Sequence, residues 1–339
     1  MMNDLSEDRF MPKTPDNILF ITLSNIGDVI LTFPVLDAVI EEYPEARISV
    51  MTGPKGKSFF LANDRVESVF VYDKQRSWLQ KLRWFTQLRK YKFDLIIDLR
   101  HSVAPLLIGG KRGTPLIRKR VPGQHMRDYH FSHIRRMRIR YWPKKRHSWV
   151  PSLEDLEAVE EKFDGKILAN ESYIVIAPGA ADHRKRWTPE GFAKAADQLS
   201  QEEDLKVVIV GDERDRTIAE QVESRMRRSV MDLCGQISLT QLGVVLRGAE
   251  LLLTNDSAPL HFAGYLDVPT VAVFGPTDPA CYGPWSSHSA FIRRHEQCPA
   301  CQSADLDGEH ACMQAVSADE VVDTAQRLLH WDRVIGGSG

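Results

Sequence analysis

The sequence predicts an α/β protein made of two Rossmann-like domains whose parallel sheets face each other across a cleft. Short apolar runs alternate with longer amphipathic ones over residues 17–99, and the same rhythm returns over 172–275. Strands separated by crossover segments form parallel sheets that need covering on both faces. A chain of 339 residues is long enough for two cores of ordinary size.

In the first half, NILFITL (17–23), ARISVMT (46–52), VFVY (69–72) and FDLIIDL (93–99) read as buried strands. DVILTFPVLDAVIEEYP reads as one helix ending near Pro44, with Pro34 kinking it or tolerated in an early turn. Trp78, Leu82, Phe85 and Leu88 share a helical face. In the second half, 172–178, 205–211, 250–255 and 269–275 read as strands, with helices near 189–202, 213–228, 239–248 and 257–265. A helix at about 152–163 leads into the polar junction 160–172. The expected division is an N-terminal domain at 1–165, a C-terminal domain at 166–317, and a helix and tail at 318–339 packing back toward the first domain. Ligands then belong at the C-terminal ends of strands, facing the cleft.

With 43% hydrophobic and 27% charged residues, the chain reads as soluble and globular. No apolar stretch approaches the roughly 20 residues of a bilayer span. The first sixteen residues lack an apolar signal core, so a cytoplasmic location is expected. Five cysteines, unevenly placed, do not make a disulfide framework.

Neither G-x-G-x-x-G after the first strand nor G-x-x-x-x-G-K-[ST] occurs, which argues against a nicotinamide dehydrogenase or a P-loop enzyme. In TLSNIGDVILTFP (22–34), a strand ends in a turn bearing Ser24, Asn25, Gly27 and Asp28. A carboxylate at a helix mouth works against phosphate binding, so Asp28 either caps the helix or acts on something other than phosphate. In LLLTNDSAPLHF, a strand ends at Thr254, and Asn255, Asp256, Ser257 and Ala258 open a helix whose unpaired N–H groups suit a phosphate. His261 lies one turn on, on the same face. The plainer alternative there is a helix capped by Asp256. APGAADHRKRW (177–187) also follows a strand and carries the basic run Arg184, Lys185, Arg186, which reads either as a diphosphate clamp or as a solvated charge run.

SNIGDV, PGA…KRW, TNDSAPLH and FGPTDP, in this order and spacing, resemble glycosyltransferase family 9, the ADP-heptose:lipopolysaccharide heptosyltransferases, over residues 17–330. The resemblance implies a GT-B fold, with acceptor on the N-terminal domain and nucleotide sugar on the C-terminal one. It places the catalytic base on Asp28, in the turn of Ser24, Asn25 and Gly27. It places the donor-phosphate cation on Lys185, and the diphosphate and sugar contacts on Asp256, Ser257, Ala258 and His261. Ile237 falls beside the adenine, and Ala180 and Ala181 where some relatives carry hydroxyls. A general base opposite a leaving diphosphate implies one in-line displacement with inversion. With no D-x-D pair in a suitable loop, neither metal nor cofactor is expected, and ADP-sugar is a substrate. The expected acceptor is the Kdo-bearing inner core of a Gram-negative lipopolysaccharide, or its heptosyl form.

Residues 111–146 hold thirteen Lys or Arg and one acid, Asp128, interleaved with aromatics. A solvated loop, nucleic acid and an anionic membrane all fit such a strip. Within the family, Arg118, Arg120, Arg135, Arg136 and Arg138 are expected to bind the acceptor headgroup. They would dock a monomeric enzyme on the cytoplasmic face of the inner membrane, without nucleic acid. Two other readings are a GT-B sugar-nucleotide epimerase, or a transferase with another donor, and a nucleic-acid-binding protein using 111–147. Cys298-x-x-Cys301 with Cys312, and His295 and His310 nearby, would suit zinc, but a second C-x-x-C is missing, so thiols in a loop are the default.

Overall fold

A computed structural model describes residues 14–115, 120–137, 139, 142–163, 172–303 and 311–336. The side chains of Arg136, Gln297 and 331–336 lie outside that description, as do Arg118, Arg138, His310 and most of the expected junction.

Eleven strands are described: β1 (Asn17–Ile21), β2 (Arg47–Thr52), β3 (Val66–Val71), β4 (Leu95–Asp98), β5 (Arg112–Gly113), β6 (Tyr173–Ala177), β7 (Lys206–Ile209), β8 (Val230–Asp232), β9 (Leu251–Asn255), β10 (Thr270–Phe274) and β11 (Ser289–Arg293). They form two all-parallel sheets, in the orders β3-β2-β1-β4-β5 and β11-β10-β9-β6-β7-β8. Read within its own half, the second sheet has the doubly wound order 3-2-1-4-5-6. The order in which strands are added reverses at β1/β4 in the first sheet and at β6/β9 in the second, and ligands bind at such switch points. The central strands β1, β6, β9 and β10 are buried throughout, as both-face coverage requires.

The single helix expected over 28–44 is two helices, Ile26–Ile30 and Phe33–Glu42. Pro34 sits in the first turn of the second, where its missing N–H costs nothing. At the break, Thr32 Oγ1 donates to the Val29 carbonyl at 2.6 Å and meets Thr22 Oγ1 at 2.7 Å. The terminal helix, Ala318–Gly336, also departs from expectation. Among the described residues, Val321, Val322, Ala325 and Leu329 join the core of the second sheet with Phe192 and Leu199 and not a core of the first domain. Lys194–Asp319 at 2.9 Å and His330–Glu203 at 3.0 Å line the same seam.

The base of the cleft is apolar and shared. Phe33 and Phe59 from the first half pack on Phe262 with ring centroids 6.5 and 5.5 Å apart, and Phe33 meets Tyr265 at 5.0 Å. Asp37 is buried beside this cluster. Its Oδ1 accepts from Ser148 N and Oγ, both at 2.6 Å, from His147 N at 2.8 Å and from Tyr265 Oη at 3.2 Å. Burial pushes the carboxyl up to about 6, although these donors pull it down. A raised acid takes up a proton on folding. Its contribution to stability is therefore complete below the unfolded value near 3.8 and lost as pH rises through about 6. The span amounts to roughly 3 kcal/mol. Asp37→Asn keeps the Oδ1 acceptor and removes the charge. Thermal melts between about pH 5 and pH 7 should show a flatter slope for the variant. An unchanged slope would remove Asp37 as the source.

Candidate active site

The turns after β1, β6 and β9 meet at one place. The Gly27 backbone lies directly against the second half: a Cβ there would fall 2.9 Å from His261 Cδ2 and 3.8 Å from Ala258 Cα. Only glycine allows so close an approach at this point. Asp28, the next residue, is half-buried and accepts from Asn25 Nδ2 at 3.0 Å. Asn25 is exposed, whereas Ser24 Oγ is buried with no partner among the described residues and lies against Gly53.

Helix Ala258–Leu266 begins at Ser257, whose side chain makes no capping bond. The plain reading, a helix capped by Asp256, is not what forms. Asp256 instead takes Lys185 Nζ at 2.6 Å, with its own side chain only 5% exposed. The first N–H groups of the helix are thus left without a side-chain acceptor, the condition for receiving an anion. Ser257 Oγ reaches Thr254 Oγ1 at 3.3 Å. His261 is buried, and desolvation pulls its imidazole down to about 4, so it is neutral near pH 7.

Of the three adjacent basic residues, only Lys185 reaches Asp256. Arg184 binds Asp182 by two nitrogens and, with that partner, holds the Asp182 carboxyl down at about 2. Arg186 donates to the Ala180 carbonyl at 2.9 and 2.7 Å and faces Asp215 at 3.8 Å. Asn255 ties the loop to the helix start: its Oδ1 accepts from Trp187 N at 2.9 Å and its Nδ2 donates to the Pro178 carbonyl at 2.7 Å. Trp187 is buried and anchors the loop from behind through Nε1 to the Val316 carbonyl at 3.1 Å. Ala180 is buried and Ala181 exposed. Ile237 is half-buried on the loop after β8, just before helix Leu239–Arg247.

Several residues of this region carried no sequence signal. Tyr282 lies by His261, with ring centroids 6.4 Å apart. Burial, then the negative charge of Asp28 and more weakly that of Asp256, pushes its phenol up. His125 Nε2 meets the Gly283 carbonyl at 3.0 Å, a contact between the halves. His101, in a left-handed conformation (φ 55°) after β4, bonds Tyr129 Oη at 3.0 Å and His133 Nε2 at 2.8 Å. Such partners are 28 and more residues apart and invisible to local pattern.

The basic strip divides. Arg135 is exposed, and Arg120 is exposed with its charge felt at Tyr282 and Cys281, on the far side of the cleft. Arg127 lies between the rings of Trp142 and Trp285, and Arg146 pairs with Asp267 at 3.4 Å. Both contacts cross between the halves. No described helix is long and apolar enough to cross a membrane.

Comparison with known proteins identifies the family. The model of glycosyltransferase family 9 (heptosyltransferase) matches residues 140–310, just over half the chain. Lipopolysaccharide heptosyltransferase 3 of Escherichia coli K12 is 22% identical over 90% of this chain and 96% of its own. Among solved structures, a family 9 glycosyl transferase from Veillonella parvula aligns with a TM-score of 0.78 at 22% identity, covering 93% of this chain and 97% of that one. The E. coli ADP-heptose lps heptosyltransferase II aligns at 0.75 and 21%, covering 94% and 99%. The two facing parallel sheets are those of the GT-B fold. The chain belongs to glycosyltransferase family 9, the heptosyltransferases, and is a glycosyl-transferring enzyme.

Proposed function

We propose that this enzyme moves L-glycero-D-manno-heptose from ADP-heptose onto the inner core of lipopolysaccharide, on Kdo-lipid A or its heptosyl form. The transfer is a single inverting displacement with no metal ion or cofactor in the chemical step. The observation that supports the reading is the packing of Gly27, the neighbour of Asp28, on His261 in the uncapped helix, whose preceding Asp256 holds Lys185.

In this reading Asp28 is the general base. A carboxylate is too weak to deprotonate a free alcohol. It takes the proton late, as the anomeric carbon gains oxocarbenium character and the attacking hydroxyl becomes acidic. On the opposite side, Lys185 and the N–H groups near Ser257 and Ala258 take up the charge developing on ADP. Neutral His261 fills the space beside the sugar and diphosphate without repelling Lys185. Ile237 packs the adenine, with Ala180 and Ala181 lining the donor side.

The family and the likeness of the chain to proteins named for lipopolysaccharide support the acceptor class. A donor panel tests the reading. ADP release should require ADP-heptose together with heptose-free core acceptor, and the product should have the opposite anomeric configuration. Faster release from another nucleotide sugar, or turnover without acceptor, overturns it.

Arg120 and Arg135 are exposed on the first half, and with Arg118, Arg136 and Arg138 they would meet the anionic headgroup and the cytoplasmic face of the inner membrane. Vesicles containing anionic lipid should bind the enzyme in a salt-sensitive way. Charge reversal of Arg135, Arg136 and Arg138 should weaken that binding at least tenfold, since each basic residue near such a surface is worth about 1 kcal/mol. Binding indifferent to both changes counts against a docking role.

A further inference from the structure

Cys298, Cys301 and Cys312 play no part in the transfer chemistry, yet folding brings them together. Their Sγ atoms all lie within 4.8 Å of one another, and those of Cys301 and Cys312 are 3.5 Å apart. Three sulfurs bound at about 2.3 Å to one tetrahedral ion stand roughly 3.8 Å apart, whereas a disulfide needs about 2.05 Å. None of these cysteines is in a disulfide.

Cys298 and Cys312 are fully buried. The backbone N–H groups of Cys301 and Cys312 donate to the Cys298 sulfur, the kind of outer support that orients metal-bound ligands. The C-x-x-C pair spans the start of helix Pro299–Ser303, and the third thiol comes from helix Ala311–Gln314.

We propose that Cys298, Cys301 and Cys312 form a three-thiolate structural site for one Zn2+ ion, its fourth position taken by a ligand outside this trio. On binding, each thiol proton passes to solvent as its S–Zn bond forms, with no change of oxidation state. Thiolate sulfur and tetrahedral spacing select zinc over the hard cations. The ion pins the segment behind the donor loop. Met313 lies against Gly275 in FGPTDP, and the Val316 carbonyl holds the Trp187 indole two residues past Lys185. The site is therefore a brace for the donor half and is independent of how the sugar is transferred.

Elemental analysis of the full, untagged chain, purified under reducing conditions without added metal, should give close to one zinc per molecule. Cys301→Ser and Cys312→Ser should each lower that content by roughly an order of magnitude and lower the melting temperature. Should the variants fail to fold, the wild-type chain still decides. Exchange with Co2+ should produce the sulfur-to-cobalt charge-transfer absorption and intense visible bands of a tetrahedral thiolate site. Wild-type protein that holds no zinc and takes up neither Zn2+ nor Co2+ overturns the proposal. A disulfide among the three cysteines under the same conditions, or iron at one equivalent, overturns it equally.

Discussion

Asp28→Ala should lower kcat by about a thousandfold while leaving the Kd for ADP within about twofold of wild type. The expected size combines two losses: the proton acceptor, worth about 10²–10⁴ in such reactions, and a negative charge facing a ring that becomes positive. ADP binding should be spared because the groups proposed for the phosphates lie on the other half, at Lys185 and the start of helix Ala258–Leu266. The side chain is half-buried and its one described bond is to Asn25, so truncation leaves no buried donor stranded. Asp28→Asn should be nearly as slow, since it keeps the shape and loses both charge and basicity. Single-turnover rates with saturating ADP-heptose and acceptor, alongside calorimetric ADP titrations, separate chemistry from binding. Turnover within tenfold of wild type would exclude Asp28 as the base.

Lys185→Ala should weaken ADP binding by about a hundredfold and also destabilise the fold by roughly 2–4 kcal/mol. Two effects coincide because one cation serves two anions. Without ligand it neutralises Asp256, whose side chain is 5% exposed and takes Lys185 Nζ at 2.6 Å. Removing the amine leaves a buried carboxylate uncompensated, next to where a diphosphate must enter. The double variant Lys185→Ala/Asp256→Asn tells the roles apart. Stability should largely return, because no unpaired charge remains, whereas ADP affinity should recover only the part lost to repulsion. Melting curves and ADP titrations of the wild type, both single variants and the double variant complete the cycle. Full recovery of both quantities would reduce Lys185 to a structural partner of Asp256.

The strands at the centre of each sheet were legible because burial on both faces demands unbroken apolar runs such as ILFI and YIVI. The edge strands β5, β8 and β11 were not, being short or only partly buried. Pro34 marks the place, but the helix break goes with the Thr22–Thr32 contact, which depends on the sheet. Turn chemistry pointed to Asp28, Asp256 and Ser257. It offered no means of ranking Arg184, Lys185 and Arg186, whose separate partners appear only when Asp182, Asp215 and Asp256 converge from different strands. Tyr282, His125 and His101 join the region through contacts of long sequence separation. The terminal helix packs through Val321, Val322, Ala325 and Leu329 on the second core, a partner of long sequence separation that local pattern does not identify. That Cys298, Cys301 and Cys312 lie close together was not legible in their spacing, which lacks a second C-x-x-C.

Phe33, Phe59, Phe262 and Tyr265 weld the floor of the cleft into a single oily joint, with Asp37 and Ser148 bolted beside it. Any breathing of the two lobes has to pivot there, so the mouth widens while the floor stays shut. Neither lobe has a complete interior without its neighbour. Heat or denaturant should therefore take both apart in one cooperative step.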